Sequence, residues 1–96
     1  MIVIYIGNYL KCTVDQRKED CNREPSHCHI QRNGKRVAQV WLNPLRVERG
    51  HTLNKSELEK VVSVISQKRY LYKLRMEYEA NRKGNINSSK KDIYRE

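Results

Sequence analysis

Ninety-six residues and a mass of 11.5 kDa amount to one small domain, which excludes two independent hydrophobic cores. Twenty Lys and Arg residues against eleven Asp and Glu residues give a formal charge of +9, which favours polyanionic partners. The longest apolar run, residues 1–6, is far shorter than the roughly 20 residues of a membrane span, and no basic segment precedes it as in a signal peptide. We therefore expect a cytoplasmic protein with no role at a membrane.

The first half of the chain has the alternation of β-strands. Residues 1–6 are apolar on both faces, Gly7-Asn8 predicts a turn, and residues 9–14 alternate as a second strand. Asn33-Gly34 predicts a type I′ turn, because both of its central positions need positive φ, and hence a second hairpin between residues 26–32 and 35–42. The polar stretch between the hairpins predicts a loop.

A regular ladder from the second turn fixes which residues share a face. It places His29 opposite Ala38 and His27 opposite Val40. The predicted faces are then Cys28, Ile30, Val37 and Trp41 on one side, and His27, His29, Gln31, Ala38, Val40 and Leu42 on the other.

The second half of the chain changes to helical periodicity. Asn43-Pro44 ends the last predicted strand, residues 45–53 cross over, and a helix begins near residues 54–57, where Ser56 and Glu59 have the spacing of a capping box. Two apolar stripes, offset from each other, predict a break between residues 66 and 70. The stripes are Leu58, Val61, Val62 and Ile65, followed by Leu71, Leu74 and Tyr78.

This order of elements predicts one α+β domain over residues 1–81. Its core is a four-stranded antiparallel sheet made from two hairpins, with a C-terminal helix or broken helix pair on one face. Residues 82–96 contain Gly84, four Ser or Asn residues in the next five, and then Lys90-Lys91. That composition predicts a basic, flexible tail.

The positive charge is concentrated after residue 30. Residues 1–30 are balanced, whereas residues 31–60 carry +4 and residues 61–96 carry +5. Because clustered Lys and Arg residues bind phosphates, we expect nucleic acid to meet one basic face. The candidate nucleic-acid-binding residues are Arg32, Lys35, Arg36, Arg46, Arg49, Lys68, Arg69, Lys73 and Arg75.

His27 and His29 are the candidate catalytic pair. Two positions apart on a strand, their imidazoles share a face at roughly 6–7 Å. Imidazole titrates near neutral pH, so the pair suits acid and base roles at an RNA 2′-hydroxyl and its leaving oxygen without a metal, with Arg36 or Arg46 stabilising the transition state. A structural role for both histidines, or a metal site, stays open.

Three cysteines, Cys12, Cys21 and Cys28, are an odd number, which favours reduced thiols over a disulfide framework. One possible function is a structural zinc module, built from these cysteines together with the histidines, including His51. No C-x2-C spacing in the sequence supports it. No nucleotide-binding or zinc-protease motif occurs. The sequence therefore predicts neither a metal nor a cofactor.

Several segments resemble the small bacterial family known as domain of unknown function 4160. They are residues 24–30, with the order Pro-Ser-His-Cys-His-Ile after Glu24, residues 38–44, then Arg49-Gly50 and residues 56–58. The hallmark of the family is Pro-Pro-His-x-His followed by a hydrophobic residue, and Ser26 stands here in place of the second proline. The resemblance covers roughly residues 1–80.

The resemblance implies a context more than an activity. Members are often encoded beside a second small protein, in arrangements like toxin–antitoxin pairs, and His27 and His29 carry the family motif. We therefore expect a toxin-like module of a two-component system from a phage or mobile element, with a cognate small protein partner, that binds nucleic acid or acts on it, RNA in particular. If the protein is an enzyme, it is a metal-independent ribonuclease. The alternative is a non-catalytic inhibitor or adaptor of a nucleic-acid-handling complex.

Overall fold

The computed structural model describes residues 2–14, 25–83 and 92–96, and the loop predicted over residues 15–25 lies outside them except for Pro25. The described residues form six strands and two helices. In chain order these are β1 (Ile2–Ile6), β2 (Leu10–Thr13), β3 (His27–Arg32), β4 (Lys35–Leu42), β5 (Leu45–Val47), α1 (Lys55–Ile65), α2 (Lys68–Arg82) and β6 (Asp92–Arg95). The strands make one sheet in the order β5-β4-β3-β2-β1-β6.

Both predicted hairpins are confirmed. Asn33 and Gly34 have φ values of 52° and 84°, the pair of positive angles that a type I′ turn requires. The first hairpin joins β1 to β2 through Gly7, whose φ is 67°. These turns depend on residues next to each other in sequence, so the local signals were sufficient to place them.

The ladder between β3 and β4 contains a β-bulge. Ile30 pairs with Ala38, whereas Gln31 pairs with Arg36, so Val37 is an extra residue in β4. A bulge of this kind changes the register of every pair beyond it. The predicted pairing of the histidines with Ala38 and Val40 is therefore wrong. The observed pairs are His27 with Trp41, Cys28 with Val40 and His29 with Gln39.

The bulge also corrects the predicted faces. Ala38, Val40 and Leu42 join Cys28 and Ile30 on the face that carries the hydrophobic core. His29 lies on the opposite face with Gln39, because successive residues of a strand alternate between faces. His27 is the first residue of β3, where its ring contacts both Trp41 and Tyr78 of α2.

Both helices pack on the core face of the sheet. The strands contribute a set of apolar side chains that includes Ile4, Ile6, Leu10, Cys12, Ile30 and Val40, and the helices contribute Val61, Val64, Ile65, Tyr70, Leu74 and Tyr78. The prediction that Val62 packs on the sheet is wrong, since Val62 is exposed and Val64 takes the buried position. Because an α-helix has 3.6 residues per turn, Val64 falls on the face that packs on the sheet and Val62 falls on the solvent side.

The predicted helix break is confirmed at Ser66 and Gln67. The capping box uses Asn54 and Glu57 in place of the predicted Ser56 and Glu59: the Glu57 amide donates to Asn54 Oδ1 at 2.8 Å, and the Asn54 amide donates to Glu57 Oε1 at 2.9 Å. Neither helix of the described segments combines the length and apolar character that crossing a bilayer requires.

Two further strands make the sheet six-stranded and mixed, which corrects the predicted four-stranded antiparallel sheet within a confirmed α+β class. Residues 45–47, predicted as part of a crossover, form β5 antiparallel to β4. The predicted tail contains β6, which pairs in parallel with β1. The ring of Tyr94 in β6 packs against Tyr70 of α2, a tertiary contact that composition alone does not reveal.

Val61→Asp is expected to lower the free energy of unfolding by roughly 3–5 kcal/mol, because the side chain is wholly buried and an unpaired carboxylate would be desolvated there. Val62→Asp is the matched control, because Val62 is the next residue of the helix and its side chain is 37% exposed. Chemical denaturation of both variants measures the difference. Equal loss of stability in the two would contradict the assignment of the helix face.

Candidate nucleic-acid interface

An open cleft lies along β4, between its bulge and the segment after β5. The Glu48 amide donates to the Gln39 carbonyl at 2.8 Å, and the Thr52 amide donates to the Val37 carbonyl at 3.0 Å. The two accepting carbonyl groups, of Val37 and Gln39, are two residues apart in β4, whereas the two donating amides, of Glu48 and Thr52, are four residues apart. Residues 49–51 therefore loop away from the strand, and the cleft opens between this loop and the bulge.

The cleft has a volume of about 410 Å³ and a lining that is polar and apolar in similar parts. Gly50, with a φ of 81°, allows the loop to turn at its rim. Two guanidinium groups, two imidazoles, an amide and a carboxylate converge there. They belong to Arg36, Arg49, His29, His51, Gln39 and Glu48.

Glu48 holds the loop of residues 49–51 in place through two hydrogen bonds. Its Oε1 accepts a hydrogen bond from the Arg49 amide, and its Oε2 accepts one from Trp41 Nε1, each at 2.8 Å. The bond from the Arg49 amide, and then the bond from Trp41, hold the pKa of Glu48 below its usual value. Both carboxylate oxygens are thus engaged within the protein, which fixes the loop against β4.

His51 faces the cleft with a defined tautomer. Its Nδ1 lies 3.2 Å from the Leu53 amide, and a backbone N–H can only donate, so Nδ1 accepts. The proton of the neutral ring is therefore on Nε2. A neutral imidazole held in this way offers one hydrogen-bond donor to an anion.

The two histidines predicted to act together are neighbours. Their ring centroids are 5.1 Å apart, and His29 lines the cleft although it is only 7% exposed. His27 is 2% exposed, and its Nδ1 donates to the Pro25 carbonyl at 2.9 Å. Its ring also contacts Trp41 and Tyr78, at centroid distances of 5.4 and 4.9 Å.

This arrangement gives the two imidazoles different access. A phosphodiester in the cleft would meet His29 and Arg36, whereas His27 lies among aromatic rings and does not line the cleft. His27 joins β3 to α2 through its contact with Tyr78. The catalytic roles of His27, His29 and Arg36 stay predictions.

The structure distributes the predicted basic residues over two regions. The edge group lies around β4 and β5 and consists of Lys35, Arg36, Arg46 and Arg49. The helix group lies on α2 and consists of Lys68, Arg69, Lys73 and Arg75. The start of α2 contacts β6, and five strand spacings, about 24 Å, separate β5 from β6.

Arg32 has a structural partner. Its Nε donates to Glu57 Oε2 at 3.0 Å, its Nη2 forms an ion pair with Glu57 Oε1, and Nη2 also donates to the Thr52 carbonyl at 3.0 Å. The hydrogen bond from Arg32, followed by the one from the Asn54 amide, lowers the pKa of Glu57. Arg32 thus ties the end of β3 to the start of α1.

Two members of the helix group have partners in β6 or in the residue that follows it, although both remain exposed. Arg69 Nη2 lies 2.9 Å from Glu96 Oε2, and Lys73 Nζ lies 5.6 Å from the centroid of the Tyr94 ring. All four residues of the helix group are exposed, and no cleft lined by them is described. The edge group, with its cleft, is therefore the stronger candidate for phosphate contacts.

Cys12 and Cys28 are buried on the core face, two positions apart across the β2–β3 ladder. A hydrogen bond with Cys12, together with burial, raises the pKa of the Cys28 thiol, so Cys28 does not provide a reactive thiolate. Cys21 lies outside the described residues. In the described part of the chain, no three His, Cys, Asp or Glu side chains group as a metal site would require.

Sequence reasoning missed Glu48 and His51 as cleft residues. Asn43-Pro44 marked a turn, and Gly50 marked a bend, so a short hairpin followed by a loop could have been inferred. The pairing of Glu48 with Trp41 left no signal, because it depends on β5 folding back onto β4.

These features define a small α+β protein whose sheet carries a basic cleft near one edge. The chain belongs to the family described as a domain of unknown function, DUF4160, which matches residues 17–73 and confirms the resemblance. The matched region contains every described residue that lines the cleft, and it excludes β1, β2 and β6. No curated protein and no solved structure has significant similarity to the chain.

The fluorescence of Trp41, the single tryptophan, is expected to report the titration of Glu48. Because the folded-state pKa is lowered, the stabilising effect of Glu48 is present above the unfolded value of about 4.3 and is lost as the pH falls through the folded value. An acid titration should therefore give a step below about pH 4.3, and Glu48→Gln should lack it. The same step in both proteins would contradict the assignment.

Proposed function

We propose that the protein binds nucleic acid through the cleft and the edge group, as the toxin-like member of a two-component system. The observation that carries this proposal is the convergence of Arg36, Arg49, His29 and His51 on one open cleft. A planar guanidinium matches the geometry of a phosphate with two parallel hydrogen bonds. Arg36 comes from β4 and Arg49 from the loop that follows β5, and such a pair suits a phosphate bound in the cleft between them.

The electrostatics of the cleft support an anionic ligand. Among the residues that the structure describes, Glu48 is the one carboxylate that lines the cleft, and both of its oxygens are already bound by Trp41 and the Arg49 amide. The Nε2–H of His51 adds a neutral donor. Lys35 and Arg46, both exposed, extend the positive charge beyond the cleft along the path of a phosphate backbone.

Contacts of this kind position a nucleic acid without reading its bases. We therefore propose binding with little sequence preference, and RNA as the first ligand to test. The two-component context comes from the resemblance of the chain to its family, and the binding chemistry comes from the cleft.

Replacing both cleft arginines, as Arg36→Gln with Arg49→Gln, is expected to weaken binding to RNA and duplex DNA by at least about tenfold and to reduce the salt slope by about 2, because each phosphate contact releases about one counterion. The control is Lys68→Gln with Arg75→Gln, which removes the same charge from exposed positions of α2. Fluorescence anisotropy from about 50 to 200 mM salt measures both.

Equal weakening by the two double variants would contradict a role for the cleft and would leave only diffuse attraction. Absence of binding at low salt would favour the alternative, a non-catalytic inhibitor or adaptor that meets a nucleic-acid-handling complex. Growth of cells expressing the wild-type chain and each double variant tests the toxin-like part. If the double variant that lacks the cleft arginines is still toxic, toxicity does not depend on nucleic-acid binding by the cleft, and the proposed link between the two is contradicted.

Cleavage of RNA by His27 and His29 is the second candidate, favoured by their adjacent rings and by the place of His29 in the cleft. The burial of His27 supports a structural role for that residue. We expect His27→Ala to cost about 1–3 kcal/mol of stability by removing a buried hydrogen-bonding group, and we expect RNA to remain intact with the wild-type chain in EDTA.

Thermal unfolding and RNA integrity, measured on the same preparations, decide between the two candidates. The catalytic candidate predicts metal-independent cleavage with a bell-shaped pH profile. It also predicts a loss of about 10²- to 10⁴-fold in both His27→Ala and His29→Ala. That result would overturn the proposal that the protein binds RNA without cleaving it.

A further inference from the structure

Strand β6 differs from the rest of the sheet. Strands β1 to β5 follow one another as an antiparallel meander, whereas β6 comes from the far end of the described chain and runs parallel to β1. Within the described strands, β6 pairs with β1 alone. It occupies a groove whose one wall is the edge of β1 and whose other wall is the start of α2, and we call this the acceptor groove.

The backbone of the acceptor groove holds an extended segment. Beyond the β1–β6 ladder, the Glu96 amide donates to the Tyr5 carbonyl at 2.8 Å, and the Gly7 amide donates to the Glu96 carbonyl at 3.0 Å. These bonds do not depend on the side chains of the segment. They would form with any chain that lies there in the same direction.

Two side chains of the segment are recognised individually. The ring of Tyr94 packs edge-on against Tyr70 at 5.4 Å, with the Lys73 ammonium 5.6 Å from its centroid. The carboxylate of Glu96 accepts hydrogen bonds from the Tyr70 hydroxyl and from Arg69 Nη2. The acceptor groove therefore has an aromatic subsite and a carboxylate subsite.

The intervening and preceding positions are read weakly. Asp92 is exposed and Ile93 is 49% exposed, while Arg95 points to the other face of the sheet and stacks over the Tyr5 ring. Because residues two apart on a strand share a face, the groove selects an aromatic residue, any residue, and then an acidic residue.

We propose that the acceptor groove is a docking site for an extended segment of a partner protein with the pattern aromatic, any residue, acidic, and that β6 is the internal competitor that occupies it. The occupant supplies the argument, because β6 itself displays the chemistry that the groove recognises. The residues of α2 that recognise the segment, Arg69, Tyr70 and Lys73, lie within the matched family region, whereas β1 and β6 lie outside it.

An internal competitor sets a threshold for the partner. A segment tethered to its own site by a short connection competes at an effective concentration in the millimolar range. A partner segment therefore binds only when it competes more strongly than the tethered β6 does, or when the contacts of β6 are weakened. Docking of a partner would also release Glu96 from Arg69 and Tyr94 from Lys73.

The test uses the full chain and a synthetic peptide, Asp-Ile-Tyr-Arg-Glu with two glycines at each end, which repeats the sequence of residues 92–96. The variant Tyr94→Ala with Glu96→Gln weakens the resident strand. NMR titration should show that this variant binds the peptide about 10- to 100-fold more tightly than the wild-type chain does, as expected for the loss of charge-assisted hydrogen bonds in the competitor. Adding Arg69→Gln to the variant should reduce peptide binding about tenfold.

The control peptide has alanine in place of tyrosine and glutamine in place of glutamate, and it should not bind. Equal binding of the two peptides, or no binding of the first peptide to a folded variant, would overturn the proposal. Thermal unfolding and the fluorescence of Trp41 establish that the variant is folded. If the double variant does not fold, Glu96→Gln alone takes its place, with the same expected order of affinities.

Discussion

Glu57 is the residue on which the two layers of this protein depend. Its side chain returns to the Asn54 amide and starts α1, while its carboxylate also binds Arg32 at the end of β3. One buried carboxylate thus fixes where the helices begin and how they meet the sheet. Since α2 follows α1 after only two residues, the same anchor helps to set the position of Tyr70 and Tyr78 over the core. Losing Arg32 would leave the buried carboxylate of Glu57 without its compensating charge at the junction.

The candidate binding site arises from irregularities in an otherwise simple meander. An extra residue, Val37, disturbs β4, and opposite it the chain leaves the ladder at residues 49–51. A regular pair of strands would have closed this space with backbone hydrogen bonds. The irregular pair leaves the cleft open beside Arg36 and Arg49, and bulges are common beside functional sites because they redirect side chains or end the pairing of strands.

Sequence reasoning succeeded where neighbours in the chain determine the structure. Asn33-Gly34 specified its turn, and the offset between the two apolar stripes specified the helix break near Ser66. It failed where distant residues decide. The bulge at Val37 moved every predicted partner of the histidines, and β6 was hidden in a polar segment because its stability comes from Tyr70 and Arg69 of α2. The candidate histidines were found by spacing, whereas their unequal access to the cleft required the packing of Tyr78.

The parallel strand β6 has a consequence for solubility. The β1 strand, with the sequence Ile-Val-Ile-Tyr-Ile, is the most apolar stretch of the chain, and short β-branched segments of this type form intermolecular sheets when their edges are open. In this structure β2 covers one edge of β1 and β6 covers the other. The opposite end of the sheet is the three-residue strand β5, which carries the charged side chain of Arg46 and offers little to a passing chain. An empty groove beside β1 would therefore be a point of aggregation, and whichever segment fills it also acts as a guard against self-association.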